Sequence, residues 1–215
     1  MTATRTETDS LGSIEIPANR YWGPQTERAR ALFRIGDARL DPGVIRATGL
    51  QKWASAEANR RLGELADAIA EPIKAAAAEV ESGARDADFP LPVWQTGSGT
   101  QTNMNANEVI ANRANEMLGQ PLGSRKPVHP NDHVNRGQSS NDSFPTVMHL
   151  AAVAAVRQRL LPGLAALHAA LTAKAAAYAE IVKLGRTHLM DAVPVTLGGE
   201  FATWARQVEN GIARV

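Results

Sequence analysis

The 215-residue chain carries 23 Lys+Arg against 22 Asp+Glu, a formal charge of +1. Proteins that bind nucleic acids through their phosphates usually show a clear basic excess, so this balance argues against that class and against nucleic-acid partners. The chain has no cysteine, which excludes disulfides, thiolate catalysis and cysteine-based metal sites.

The beginning of the chain is polar, without the apolar core of a signal peptide over Met1–Ser10. The longest uncharged apolar run, Phe144–Val156, is shorter than the roughly 20 residues that a membrane-spanning helix needs. We therefore expect no membrane partner and a soluble, cytoplasmic protein.

Residues 1–42 predict irregular structure, with a short extended piece over Asp9–Pro17. Residues 43–82 are rich in Ala, Leu, Glu, Lys and Arg, which favours helix. Pro72 predicts the first turn of a second helix, because a missing N–H costs nothing there. Pro90 and Pro92 then exclude a helix interior.

A Gly/Ser/Thr loop follows and leads into a helix predicted over Asn103–Leu118. Its centre is Gly97, Ser98, Gly99 and Thr100. Glycines let backbone N–H groups approach a ligand, hydroxyls add donors, and a helix N-terminus favours an anion. The sequence predicts an anion site here, and a plain flexible loop is the alternative.

The stretch His129–Asp142 is the most polar segment of the chain and precedes the apolar run. Asp142 or Ser143 is the expected cap of a buried helix over Thr146–Leu161, and His149 within it is expected to be a core histidine. Capping explains one hydroxyl or carboxylate but not the four consecutive residues Gln138, Ser139, Ser140 and Asn141. We interpret these as a second anion-binding segment, with capping as the alternative.

Lys183–Pro194 predicts another polar loop, containing Gly185-Arg186-Thr187-His188, and a last helix is predicted to begin near Gly199. A loop histidine is a candidate acid or base because its pKa lies near neutrality, and a solvated loop histidine is the alternative. His129, Asp132 and His133 are bunched in one proline-containing turn, so we expect no metal site.

These elements predict an all-α protein, with a mostly helical domain over residues 1–138 and the first part of a helical bundle over residues 139–215. Three loops rich in neutral donors, each beside a helix end, indicate a small polyanionic substrate.

At these loops the sequence resembles the fumarase/aspartase superfamily and, within it, the class II fumarases. The matching stretches are Trp94–Asn105, His129–Asp142 and Gly185–Gly198. The aspartases that we compare have glutamine where this chain has His188 and lack the Trp-Gln-Thr start of the first loop. The resemblance therefore favours a fumarate hydratase over a sister lyase such as aspartase.

The resemblance implies a role for individual residues. Ser98, Gly99 and Thr100 would contact one substrate carboxylate, and Ser139, Ser140 and Asn141 would hold the dicarboxylate from a second direction. Thr187 would contact the substrate, and His188 would be the proton donor and acceptor on the hydroxyl side. A second dicarboxylate site would comprise His129, Pro130, Asn131 and Asp132.

The resemblance also implies reversible hydration of fumarate to (S)-malate without metal or cofactor, in the tricarboxylic acid cycle. Relatives are homotetramers around a helical bundle, with active sites shared between subunits. The family's Gly-Ser-Ser-x-Met-Pro loop with the catalytic serine is not in this sequence. We therefore expect a truncated chain that lacks the C-terminal catalytic loop and is inactive by itself. A binding or assembly fragment is the alternative.

Overall fold

The computed structural model describes residues 3–215, so Met1 and Thr2 of the predicted first domain lie outside the described part. The chain forms two compact units, Met1–Ala151 and Ala152–Val215. This division falls later in the chain than the predicted domain boundary after Gln138. The assignment of residues 1–138 and 139–215 to functional domains stays a prediction.

The first unit is an antiparallel hairpin followed by helices. Its elements are β1 (Thr4–Asp9), β2 (Gly12–Pro17), α1 (Pro24–Leu32), α2 (Pro42–Arg61), α3 (Asp67–Glu81), α4 (Thr100–Met117) and most of α5 (Ser140–Ala155), whose last turn belongs to the second unit. In the hairpin, Thr4 pairs with Pro17 and Asp9 with Gly12. The predicted single extended piece over Asp9–Pro17 is therefore β2 together with its turn.

Small apolar residues at helical spacing build the core of the first unit. On α3, Ala70, Ile73, Ala77 and Val80 are fully buried. Their spacing of three to four residues places them on one face of the helix. Pro72 lies inside α3, so the prediction that it begins a helix is wrong. Pro72 is in the second turn, where it removes a single backbone hydrogen bond without ending the helix.

Glu108 of α4 fixes the start of α1 through a buried carboxylate. It accepts hydrogen bonds from the backbone N–H groups of Gly23, Gln25 and Thr26 at 2.9, 2.8 and 3.1 Å, and from the Thr26 hydroxyl at 2.6 Å. These are orphan donors of a helix N-terminus, where a negative charge is favourable. Burial raises the pKa of the Glu108 carboxyl, while these donors lower it.

The second unit consists of two helices and a hairpin. A π-helical segment, Val156–Leu160, continues the helix from α5 into α6 (Leu161–Ala177). The elements that follow are β3 (Val182–Thr187), β4 (Met190–Thr196) and α7 (Leu197–Arg214). Thr196 caps α7, because its hydroxyl accepts the Gly199 N–H at 3.0 Å. The predicted polar loop Lys183–Pro194 is wrong, since it is an antiparallel β-hairpin. The predicted start of the last helix near Gly199 is two residues late.

The apolar helices α5 and α6 are largely exposed within this chain. Only Ser143 and Val147 of α5 are buried, and no residue of α6 is. His149 is exposed, so its interpretation as a core histidine is wrong for this chain. The helical run Ser140–Ala177 is long and apolar enough, by length and composition, to cross a membrane. It is longer than the uncharged stretch considered above because the helix continues beyond Val156.

The all-α prediction is confirmed at the level of fold class. Residues 3–215 contain seven α-helices, and their strands form only two separate two-stranded hairpins.

Candidate active site

Two of the three predicted loops meet in the first unit through their hydroxyl groups. Thr100 Oγ1 lies 3.0 Å from Ser140 Oγ, and Ser98 Oγ lies 3.0 Å from Thr100 Oγ1. Thr100 is the first residue of α4 and Ser140 the first residue of α5. Two helix N-termini therefore converge with their hydroxyls, an arrangement that favours an anion.

Gly99 sets the geometry of the first loop. It precedes α4 in the left-handed conformation, with φ of 71°. A Cβ at this position would lie 2.1 Å from Cγ of Phe144, so the ring of α5 packs directly against the glycine. The helix therefore begins at Thr100, three residues before the predicted start. The sequence did not reveal this because the capping position lacks the Ser, Thr, Asp or Asn that marks most helix starts.

Ser139 is the cap of α5, so the prediction of Asp142 or Ser143 is wrong. Its hydroxyl accepts the Asn141 N–H at 3.2 Å, and its carbonyl accepts the Ser143 N–H at 2.9 Å. Capping thus accounts for Ser139. Asn141 is exposed, and within residues 3–215 its side chain makes no hydrogen bond. Capping does not account for the Ser140 hydroxyl, which contacts Thr100, or for the Asn141 amide.

His129 caps a short π-helical turn over Pro130–Val134, and the rings of His129 and His133 accept backbone hydrogen bonds there. His129 Nδ1 accepts the N–H groups of Asn131 and Asp132 at 3.3 and 3.2 Å, and the Asp132 carboxylate lies 3.2 Å from the same nitrogen. His133 Nδ1 accepts the His129 N–H at 2.9 Å. Pro130 is buried, whereas Asn131 and Asp132 are exposed. In residues 3–215, no group of three potential ligands is arranged to hold a metal ion.

We predict that the first unit loses stability on acidification through His133. Burial lowers the pKa of the His133 imidazole below its ordinary value of 6.5. As the pH falls below about 6.5, the unfolded chain binds this proton first, so the free energy of unfolding decreases. Urea unfolding between about pH 7 and pH 5 measures the slope, and His133→Gln should flatten it. Equal slopes in the two proteins would contradict the prediction.

Thr187 and His188 lie in the second unit, at the tip of its hairpin. Thr187 pairs with Met190, which leaves His188 and Leu189 as a two-residue turn. Both turn residues are left-handed, with φ of 50° and 61°. Such turns normally take Asn-Gly or Gly-Gly, so this turn stores backbone strain at an exposed imidazole. Strain of this kind is common at functional positions.

A buried polar network beneath the first two loops was missed by sequence reasoning. Lys52 of α2 is 1% exposed, and its ammonium donates to Asn135 Oδ1 and Gln138 Oε1. Asn103 Nδ2 also donates to Asn135 Oδ1. A lysine inside an Ala-rich helix is typical of an exposed face, so the sequence offers no signal for this burial.

Comparison with known proteins identifies the class to which this fold and site belong. A family model described as Lyase matches residues 12–215, and the chain belongs to this lyase family. The chain is also 60% identical, over 99% of its length, to Fumarate hydratase class II 2 of Bradyrhizobium diazoefficiens, of which it covers 45%. The resemblance to class II fumarases is thereby confirmed. The chain spans a little under half the length of the curated relatives that it matches.

Solved structures agree with this assignment. The fumarate lyase:delta crystallin of Brucella melitensis superposes with a TM-score of 0.95 at 44% identity, covering 99% of this chain and 50% of that one. The class II fumarase of Schistosoma mansoni gives 0.94 at 40% identity, covering 98% and 44%. The prediction of a fumarase/aspartase-type helical fold is confirmed.

Proposed function

We propose that the whole protein is a class II fumarate hydratase, which reversibly hydrates fumarate to (S)-malate in the tricarboxylic acid cycle. The observation that carries this proposal is the meeting of Thr100 and Ser140, 3.0 Å apart, at two helix N-termini. The relatives' identity of about 60% across the chain supports the same activity.

The hydroxyl cluster suits the charge that develops in this reaction. Removal of the C3 proton of malate places negative charge on the adjacent carboxylate, and preorganised donors stabilise that state. We assign one carboxylate to Ser98, Gly99 and Thr100, and a second direction of contact to Ser139, Ser140 and Asn141. Gly99 has no side chain, so its contact with the carboxylate would be made by its backbone.

His188 is the proposed proton donor and acceptor on the water or hydroxyl side, with Thr187 contacting the substrate. General acid–base catalysis requires an imidazole that reaches the reacting oxygen. The exposed hairpin turn supports this role, because its fixed backbone presents His188 beyond the strand ends. The proposed chemistry requires no metal and no cofactor.

The turn formed by His129, Pro130, Asn131 and Asp132 is the proposed second dicarboxylate site. Its support is the pair of exposed side chains, Asn131 and Asp132, on a turn held by the His129 ring. The backbone N–H groups of Asn131 and Asp132 already donate to His129 Nδ1, so an anion at this turn would have to use the Asn131 amide. The Asp132 carboxylate beside it would repel the anion.

We infer that the whole protein is a homotetramer with shared active sites and that it acts in the cytoplasm. The largely exposed apolar helices α5 and α6 support this assembly, because uncovered apolar faces of this size usually mark interfaces. The same helices pass the length and composition test for a membrane span. We assign them to helix packing because the matching solved structures are fumarate lyases and fumarases.

Loss of fumarate absorbance on incubation with the whole protein tests the proposed activity. Turnover of fumarate to (S)-malate is the expected result. Absence of this turnover, together with ammonia release from aspartate or cleavage of argininosuccinate, would reassign the protein to a sister lyase. The 215-residue chain alone is expected to be inactive, because it covers under half of its relatives. Hydration by that chain alone would contradict this expectation and exclude a role limited to binding or assembly.

A further inference from the structure

Lys52 is a buried cation without an anionic partner. Its side chain is 1% exposed, and its Nζ lies 3.0 Å from Asn135 Oδ1 and 2.9 Å from Gln138 Oε1. Within residues 3–215, no carboxylate forms an ion pair with it, and burial lowers the pKa of its ammonium to about 7. Burying an unpaired charge is unfavourable, so the position calls for a compensating role.

The ammonium fixes the orientation of the Asn135 amide. In its protonated form Lys52 only donates hydrogen bonds, so Asn135 presents its oxygen to the ammonium. The same oxygen accepts Asn103 Nδ2 at 3.0 Å, which occupies its second lone pair. The Asn135 NH2 group is therefore turned to the backbone, where it donates to the carbonyl of Gln138 at 3.0 Å.

The same logic applies to the Gln138 amide. Its Oε1 accepts from Lys52 and, at 3.1 Å, from Gln51 Nε2. Its NH2 group consequently donates to the Val134 carbonyl at 2.9 Å. The two amides together close the turn that leads directly into Ser139, the cap of α5.

We propose that Lys52 is a positioning residue, which fixes the amides of Asn135 and Gln138 and so holds Ser139, Ser140 and Asn141 ready to bind a substrate carboxylate. The claim that these residues bind a substrate carboxylate rests on the proposed function. The claim that Lys52 fixes the turn before Ser139 does not. A residue that only supported the core would affect folding without a selective effect on substrate binding.

Lys52→Met in the whole protein tests the proposal through fumarate kinetics. The variant should raise KM about tenfold with kcat within about threefold of wild type, because the loss affects binding in ground and transition states alike. Lys74→Met is the matched control, since Lys74 is a partly buried lysine of the same unit that does pair with carboxylates, those of Glu57 and Glu71 at 2.8 and 3.0 Å. A wild-type KM in Lys52→Met, or an equal rise in both variants, would overturn the proposal.

Asn135→Asp provides a second variant in case Lys52→Met does not fold. The carboxylate still accepts from Lys52 and Asn103, and it pairs with the buried ammonium, so the variant should fold. It has no NH2 group to donate to the Gln138 carbonyl, and KM should rise as in Lys52→Met. A folded Asn135→Asp protein with wild-type KM would show that the turn does not depend on this amide, which overturns the proposal.

Amide hydrogen exchange separates this inference from the proposed function. Without substrate, exchange at Asn141, Asp142 and Ser143 should be about tenfold faster in Lys52→Met and unchanged in Lys74→Met, because local opening of the turn becomes easier. Unaltered exchange in Lys52→Met overturns the positioning role whatever the substrate. An altered exchange in a protein that does not hydrate fumarate overturns only the proposed function.

Discussion

Replacing Gly99 by alanine is expected to destabilise the first unit by about 3 kcal/mol and to reduce kcat/KM for fumarate more than a hundredfold. Two effects combine, since the left-handed φ of 71° disfavours any side chain and the new methyl would overlap the Phe144 ring. Relief of that overlap must displace α5, and with it Ser140. Thermal unfolding and steady-state kinetics measure the two losses.

Gly97→Ala is the matched control for stability in the same loop. A Cβ at Gly97 meets nothing within 4 Å. Its substitution should therefore change the free energy of unfolding by about 0.5 kcal/mol or less. Equal destabilisation by the two substitutions would show that Phe144 does not set the conformation of the loop.

His188→Asn is expected to lower kcat about a thousandfold, within the range that a positioned general acid–base contributes. Asparagine tolerates the left-handed conformation that His188 adopts, so the hairpin turn should persist and the loss should reflect chemistry. The rate of fumarate absorbance change measures it, and circular dichroism checks that the fold is kept.

His168→Asn on α6 is the matched control, because it removes an imidazole from the same unit at a position with no proposed contact with the substrate. Its turnover should remain near that of the wild type. A near-normal rate in His188→Asn would remove this residue from the acid–base role.

Sequence patterns predicted the helices well where composition and capping residues agree. They predicted them less well where one residue type is compatible with two positions in a helix. The helix predicted over Asn103–Leu118 is present as α4, with its start three residues earlier. Pro72 was misread because proline is common at a helix start, and only the packing of α3 shows that the helix begins earlier. The Lys183–Pro194 hairpin was missed because both of its faces are mostly exposed, so its strands lack the apolar alternation of a half-buried sheet.

The residue types of the candidate site could be predicted from the sequence, but the contacts that hold those residues in place could not. Hydroxyls next to glycines indicated the loop at Ser98, and four consecutive hydrogen-bonding residues indicated the segment at Ser139. The contact between Thr100 and Ser140 joins residues forty positions apart, which no local pattern encodes. The burial of Lys52 could not be predicted for a related reason, because it depends on the amides of Asn135 and Gln138 in a turn distant in the sequence.

The Glu108 carboxylate also constrains the order in which the first unit can form. It joins α4 to residues 82 to 85 positions earlier in the chain. Closing a loop of that length has a large entropic penalty, and the bonds exist only once α4 is helical. The β1–β2 hairpin and α1 should therefore join the first unit late in folding and detach from it first. Limited proteolysis should then cut in this segment before it cuts α2, α3 or α4.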